Sequence, residues 1–218
     1  MKVGTDGVLL GAWCPIDRFA QSQKTASLKV ERILDVGTGS GLIARMLMQR
    51  CLEAEVEGID IDEAAVEQAR ENGVNAFVSS LQNWQGSYDL IVSNPPYFQN
   101  SLKNPDEGRK AARHTDTLSY AELIHHSARL LTEHGQLALI LPAEAENEIR
   151  QLAAVENLFL THVTRVYSKE TKPARRVLLS FEMSRCRDLE ITSDTLVLED
   201  EKGGRSAAYS KLCKEFYL

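Results

Sequence analysis

The sequence predicts an α/β fold: a mostly parallel sheet with helices on both faces. Three observations carry this. Short apolar runs alternate with amphipathic stretches almost throughout the 218 residues, the pattern of successive β-α units. The run QLALIL at 136–141 is apolar nearly without interruption, as a strand buried on both faces should be. The stretch ERILDV leads straight into the glycine-rich GTGSG, a strand-to-helix turn of the kind found at ligand sites of such sheets.

The elements follow in chain order. Residues 31–36 read as the first strand and 41–51 as the helix that the glycines open. A second strand covers 55–60, followed by a helix over 62–72. A weaker strand is expected at 76–79 and a fourth at 88–93 (YDLIVS). After a long loop, a helix over 117–132 stops at His134-Gly135, and QLALIL forms the next strand. A helix near 143–154 and strands at 159–167 and 176–183 complete the core. Right-handed crossovers then bring the carboxyl ends of the parallel strands to one edge, where ligands bind. The strand at 159–167 is expected to run parallel to its neighbours, which places the following loop, Ser168 to Arg175, over that edge.

This is one domain over 1–218, with 31–183 as its core, 1–30 as a leading segment and 184–218 as a C-terminal extension. A hydrophobic fraction of 43% and a charged fraction of 26% are those of an ordinary globular chain able to bury a core. No run is long and apolar enough for a membrane span, and MKVGTDG is no secretory start, so a cytoplasmic protein is expected. Cys14, Cys51, Cys186 and Cys213 are scattered without a CxxC pair, and the five histidines have no metal-ligand spacing. Free thiols and no metal are the expectation. Net charge is −6, against nucleic acid at first sight, but 165–176 carries a local +4 and 103–113 a local +2. Two basic islands on an acidic body are compatible with local phosphate contacts.

The first candidate site is DVGTGSG, from Asp35 to Gly41. Gly37, Gly39 and Gly41 let the backbone approach a ligand, and the helix start presents N–H groups beside Thr38. The second strand ends in GIDID, where Asp60 can accept both hydroxyls of a ribose; Ile61 follows it. A nucleoside cofactor is the reading. The second candidate is Ser93-Asn94-Pro95-Pro96-Tyr97-Phe98, which ends the fourth strand in prolines and aromatic rings where a polar turn would be ordinary.

Together DVGTGSG, GIDID and NPPY resemble the class I S-adenosylmethionine-dependent methyltransferases, with a Rossmann-like fold. KVGTDGVLLGAW at the start and RRVLLSF before a terminal EFYL narrow the resemblance to the bacterial tRNA(Val) adenine-37 N6-methyltransferase family, along the whole chain. The resemblance implies a seven-stranded sheet whose last strand is antiparallel, and a target base bound at the loop after the fourth strand. It implies S-adenosylmethionine as cofactor, a tRNA substrate, no membrane, and a monomer without an obligate protein partner.

An adenine amine is a poor nucleophile, because its lone pair is delocalised into the ring. Two acceptors on a rigid frame favour a pyramidal nitrogen aimed at the methyl group. The Asn94 side-chain oxygen and the Pro95 carbonyl are the pair, and Pro95 and Pro96 fix the frame. Tyr97 offers a stacking face worth roughly 1–3 kcal/mol, and Phe98 is either a second wall or core. The resemblance places Thr5 and Asp6 over the methionine end of the cofactor, although the same pair would also serve as an N-cap. Asn94 is expected to border the cofactor as well. Lys169, Lys172, Arg175 and Arg176 would grip phosphates of a bent anticodon loop with its target base flipped out. Trp13 and Trp84 read as packing.

Two departures from the family stand out. Its members carry a further basic, aromatic-rich segment before KVGTDG, so weaker RNA affinity and a less complete cofactor cover are expected here. They also place an Asp after the third strand to hold the cofactor's adenine. Here FVSSLQNW offers Ser80, with Gln82 or Asn83 as substitutes. Other readings of the same motifs are methylation of a protein glutamine amide, of DNA adenine or of a guanine amine. A catalytically silent cofactor-binding module is a third possibility, against which the intact Asn94 to Tyr97 stretch argues.

Overall fold

The computed structural model describes residues 4–16, 30–96, 118–183 and 191–216. Its strands are β1 (Arg32–Val36), β2 (Glu55–Asp60), β3 (Asn75–Val78), β4 (Tyr88–Ser93), β5 (Leu131–Pro142), β6 (Phe159–Tyr167), β7 (Ala174–Glu182) and β8 (Thr192–Val197). Its helices are α1 (Thr5–Trp13), α2 (Leu42–Arg50), α3 (Glu63–Glu71), α4 (Tyr120–Leu130), α5 (Glu146–Val155) and α6 (Ala207–Leu212). The sheet order is β3-β2-β1-β4-β5-β7-β6-β8, with β7 antiparallel to both of its neighbours. This is the Rossmann-like arrangement expected, with one difference. The described sheet has eight strands, because Thr192–Val197 in the C-terminal extension adds itself parallel to β6.

The expected parallel setting of residues 159–167 is corrected in one respect. β6 is parallel to β8, but its other hydrogen-bonded neighbour is the antiparallel β7. Two antiparallel steps from β5 leave β6 running in the direction of β5. Its last residue, Tyr167, therefore still ends on the edge where β1, β2, β4 and β5 end.

Alternation of side chains across the central strands feeds a core on each face. Ile33, Leu90, Val92, Ala138 and Ile140 pack on one side, and Leu34, Ile91, Leu137, Leu139 and Leu141 on the other. α1, α2 and α6 contribute to the first core, α4 and α5 to the second. Local chemistry sets the helix starts. Asp62 caps α3 by accepting from Ala64 N at 2.9 Å, and Ser119 with Glu122 forms a complete capping box on α4.

α4 ends at Leu130, earlier than expected, and β5 begins at once with Leu131 paired to Tyr88. The register then shifts so that Leu90 faces Gln136. Gly135 lies inside this irregular strand, where a Cβ would come 2.9 Å from the Tyr88 carbonyl oxygen. Glycine here permits a close approach of two strands; it does not terminate a helix.

The opening segment is the part least legible in the sequence. Gly4 is the N-cap of α1, with no side-chain cap bond, and Thr5 is the first helical residue, so the N-cap reading of Thr5 and Asp6 does not hold. From Gly7 to Trp13 the helix is buried all round, the signature of a core element. Leu9 and Leu10 have no exposure, and each stabilises the fold by roughly 1.5–3 kcal/mol. Gly7 and Gly11 seat α1 against α2, where added Cβ atoms would lie 3.1 Å from Leu42 and 2.7 Å from Met46. Trp13 donates to Thr164 Oγ1 at 2.8 Å and Trp84 to the Tyr88 hydroxyl at 2.7 Å, so both tryptophans pack structurally as expected.

Candidate active site

The site is built where β1 and β4 end side by side. Val36 and Ser93 are register partners, and the Ser93 hydroxyl donates to the Val36 carbonyl at 2.8 Å. This locks the glycine turn beside Asn94. In the turn, Gly37, Gly39 and Gly41 have φ of 70°, 55° and 80°, a conformation other residues adopt only with strain. A Cβ on Gly41 would lie 2.7 Å from Val74, so this position is closed by packing as well.

The turn is tied to the end of β2. Gly37 N and Thr38 N donate to the Ile59 carbonyl at 2.8 and 3.0 Å. Asp60 Oδ2 accepts from Gly39 N at 2.9 Å, and its Oδ1 accepts from Asp62 N at 3.0 Å. Asp60 thus braces the turn while keeping acceptor capacity, since a carboxylate has about four lone-pair directions. Gly58, overlooked in the sequence, allows this approach: a Cβ there would stand 2.8 Å from Thr38 Oγ1. Glycine inside a strand is the signal that marks it.

Asp35 is fully buried. Its Oδ2 accepts from Thr38 Oγ1 at 2.8 Å and from Ala44 N at 3.2 Å, whereas Oδ1 has no partner among the described residues. Burial pushes the carboxyl up to about 7; the bonds from Thr38 and Ala44 oppose this, and the nearby Asp60 adds to it. A buried acceptor without a donor is costly, and it suits a cationic ligand that brings the missing donor.

On the far side of Asp60, Ile61 and Val78 are about half exposed, which is unusual for large apolar side chains beside a polar turn. Val78 is the register partner of Asp60, and Ser80 follows two residues later, half-buried. Gln82 is bonded to Glu122 and Asn83 is exposed, so Ser80 is the better placed of the three polar candidates. Asn94 is half-buried, Pro95 buried and Pro96 exposed. Tyr97 and Phe98 lie outside the described residues, as does the basic island at 103–113.

The cations after β6 separate into two kinds. Lys172 and Arg175 are exposed. Lys169 pairs with Glu199 at 3.4 Å, and Arg176 Nε donates to Asp6 Oδ2 at 2.8 Å. Thr5 is exposed at the start of α1, on the same edge. Among the described residues no group of three His, Cys, Asp or Glu side chains could hold a metal, and no helix is long and apolar enough to cross a membrane.

The chain is similar to known proteins along its length. The family described as methyltransferase small domain matches residues 19–169. A protein of Parabacteroides distasonis, named tRNA1(Val) (adenine(37)-N6)-methyltransferase, is 43% identical over 230 residues, covering 100% of this chain and 91% of its own. A protein of the same name from Bacteroides fragilis is 39% identical over 233 residues with the same coverage. Among solved structures, a predicted O-methyltransferase from Agrobacterium tumefaciens superposes with a TM-score of 0.70 at 18% identity, covering 96% of this chain and 95% of that one. The magnesium protoporphyrin IX methyltransferase of Synechocystis, with bound SAM, gives 0.55 at 17% identity over 84% and 85%. At such identities these two are similar in fold alone.

Proposed function

The chain belongs to the methyltransferase small-domain family, and from that premise we propose that it transfers a methyl group from S-adenosylmethionine to the N6 amine of adenine 37 in tRNA1(Val). The carrying observation is the meeting of the glycine turn and Asn94-Pro95-Pro96 at one sheet edge, in a chain similar to its tRNA-modifying relatives over its whole length.

The residues of the turn fit the cofactor. When bound, S-adenosylmethionine supplies a methyl group carried on a positively charged sulfur. Gly37 and Gly39 allow the backbone to come close to it. Asp60 has acceptor capacity left for the ribose hydroxyls, Ile61 and Val78 offer apolar flanks to the adenine, and Ser80 offers a hydroxyl to its edge. The orphaned Asp35 Oδ1 suits the ammonium of the methionine end, and Thr5 and Asp6 border it. Asp60→Ala should weaken donor binding at least tenfold, or about 1.4 kcal/mol. Calorimetry reads this directly, and unchanged affinity would remove Asp60 from the site.

On the substrate side, Asn94 and the Pro95 carbonyl accept the two N–H bonds of the target amine, and Tyr97 with Phe98 supplies the stacking surface. The chain's contribution is orientation for in-line displacement. The methylated amine is acidic enough to lose its proton to water, so no general base is needed. Lys172 and Arg175 meet phosphates of the anticodon loop, with Lys169 beside them. Neutralising Lys172 and Arg175 together should flatten the salt dependence of tRNA binding by about 0.7 for each phosphate they neutralise and leave donor binding unchanged. A double variant that binds tRNA like the parent at every salt concentration would mean RNA enters elsewhere.

The deciding experiment incubates the chain with unmodified tRNA1(Val) and S-adenosylmethionine, then digests the RNA for nucleoside mass spectrometry. N6-methyladenosine mapped to position 37 is the expected product. Donor bound, but no methylated adenosine formed, would overturn the reading.

A further inference from the structure

Arg176 stands in the basic island, but its guanidinium donates to the Asp6 carboxylate. We propose that Arg176 is a positioning residue for the methyl-donor side of the site, holding the first turn of α1 against the ligand edge. The inference rests on the methyltransferase reading, but its test does not require RNA.

Three observations support it. First, the guanidinium is committed in two directions: Nε donates to Asp6 Oδ2 at 2.8 Å and Nη1 donates to the Arg175 carbonyl at 3.0 Å. A planar fork fixed at two points is directional in a way that a lysine ammonium is not. Second, the pair joins distant parts of the chain at the edge that carries the site. Arg176 is the register partner of Pro142, the last residue of β5, and Asp6 lies in the first turn of α1. Third, α1 rests on the helix that the glycine turn opens. Gly7 faces Leu42, the residue after Gly41, and Gly11 faces Met46, while Arg50 Nη1 donates to the Gly11 carbonyl at 2.9 Å.

The far end of α1 is separately fastened by Trp13 to Thr164. Its first turn has no side-chain cap from Gly4, so the Asp6 carboxylate, favourable at a helix start, is where side-chain chemistry fixes that end. Both Asp6 and Arg176 lie outside residues 19–169, which match the general family. The charges of the pair cancel, so the island presents less positive charge to a polyanion than its sequence suggests.

The test compares Arg176→Gln, Arg176→Lys, Asp6→Asn and the double variant Asp6→Asn/Arg176→Gln in the full chain. In the unliganded protein, amide hydrogen exchange over Gly7 to Leu10 should speed up in each single variant. Calorimetric affinity for S-adenosylmethionine should fall roughly tenfold in Arg176→Gln and in Asp6→Asn, with Arg176→Lys restoring part of it. The double variant should be no worse than the weaker single, because one interaction is removed twice. KM for the donor should rise while kcat stays within a few-fold, and the salt slope of tRNA binding should match the parent. An unchanged donor affinity, or a salt slope flattened as in the Lys172 and Arg175 variant, would overturn the proposal. If Arg176→Gln fails to fold, Asp6→Asn decides by the same readings. Failure of the parent chain to methylate tRNA would count against the proposed function alone, since exchange and donor binding are read without RNA.

Discussion

Asn94→Ala is expected to reduce tRNA methylation at least a hundredfold while leaving S-adenosylmethionine affinity within a few-fold. The expectation follows from where Asn94 is held. Val36 and Ser93 are locked side by side, and Pro95 is buried immediately after. The asparagine is therefore fixed between a strand end and a ring whose φ is set. Deleting a fixed group that stabilises a transition state typically costs 10²–10³ in rate, or roughly 2.7–4 kcal/mol. Donor affinity is spared because Asn94 is expected to face the acceptor amine, while Asp35 and Asp60 receive the bonds that Thr38, Ala44 and Gly39 donate in the turn. Single-turnover rates and calorimetry on the same preparation separate the two effects. A variant that keeps more than about a tenth of the parent rate has lost under about 1.4 kcal/mol, too little for a principal acceptor of the amine. Asn94 would then be a turn residue and nothing more.

What could be read in the sequence was whatever depends on neighbours in the chain. The ranges 55–60, 88–93 and 159–167 match β2, β4 and β6 residue for residue, because apolar runs and the turns that bound them are local signals. The glycine turn and Asp60 were legible for the same reason: their spacing follows from a single β-α-β unit. The errors fall where a distant partner decides. Gly135 looks like a stop, yet it is required by the approach of Tyr88 from another strand. β8 looks like part of a polar tail, since four of its six residues are exposed, and only the free edge of β6 makes it a strand. α1 has no amphipathic face to recognise, because it is enclosed by α2, β5, β6 and α6. The basic run likewise could not show that Lys169 and Arg176 pair with Glu199 and Asp6, which lie far from them in sequence. Charge counted along a chain cannot reveal which charges cancel in space.

Donor binding is expected to weaken about fivefold from pH 7 to pH 6 and about ninefold more to pH 5, so that roughly fiftyfold in affinity is lost between pH 7 and pH 5. Asp35 is the cause. Its carboxyl is fully buried and raised to about 7, chiefly by that burial. At lower pH the unliganded chain holds a proton there. An ammonium can pair only with the carboxylate, so the proton must leave when the donor binds. The sign is opposite for stability. The folded chain binds this proton up to about 7 and the unfolded chain only up to about 3.8. Taken alone, the group therefore makes the unliganded fold less stable as pH rises from 3.8 to 7, by about 4 kcal/mol over the window. Weaker donor binding in acid then cannot be the result of Asp35 unfolding the protein, because protonation of Asp35 favours the fold. Calorimetry at pH 5, 6 and 7 in buffers of different ionisation heat tests both parts. Close to one proton should be released per donor bound at pH 6 and below, and Asp35→Asn should flatten the pH dependence. Should that variant not fold, the proton count of the parent chain decides the matter alone. An affinity constant from pH 5 to pH 7, with no proton released, would mean that the orphaned oxygen of Asp35 does not meet the donor's cation.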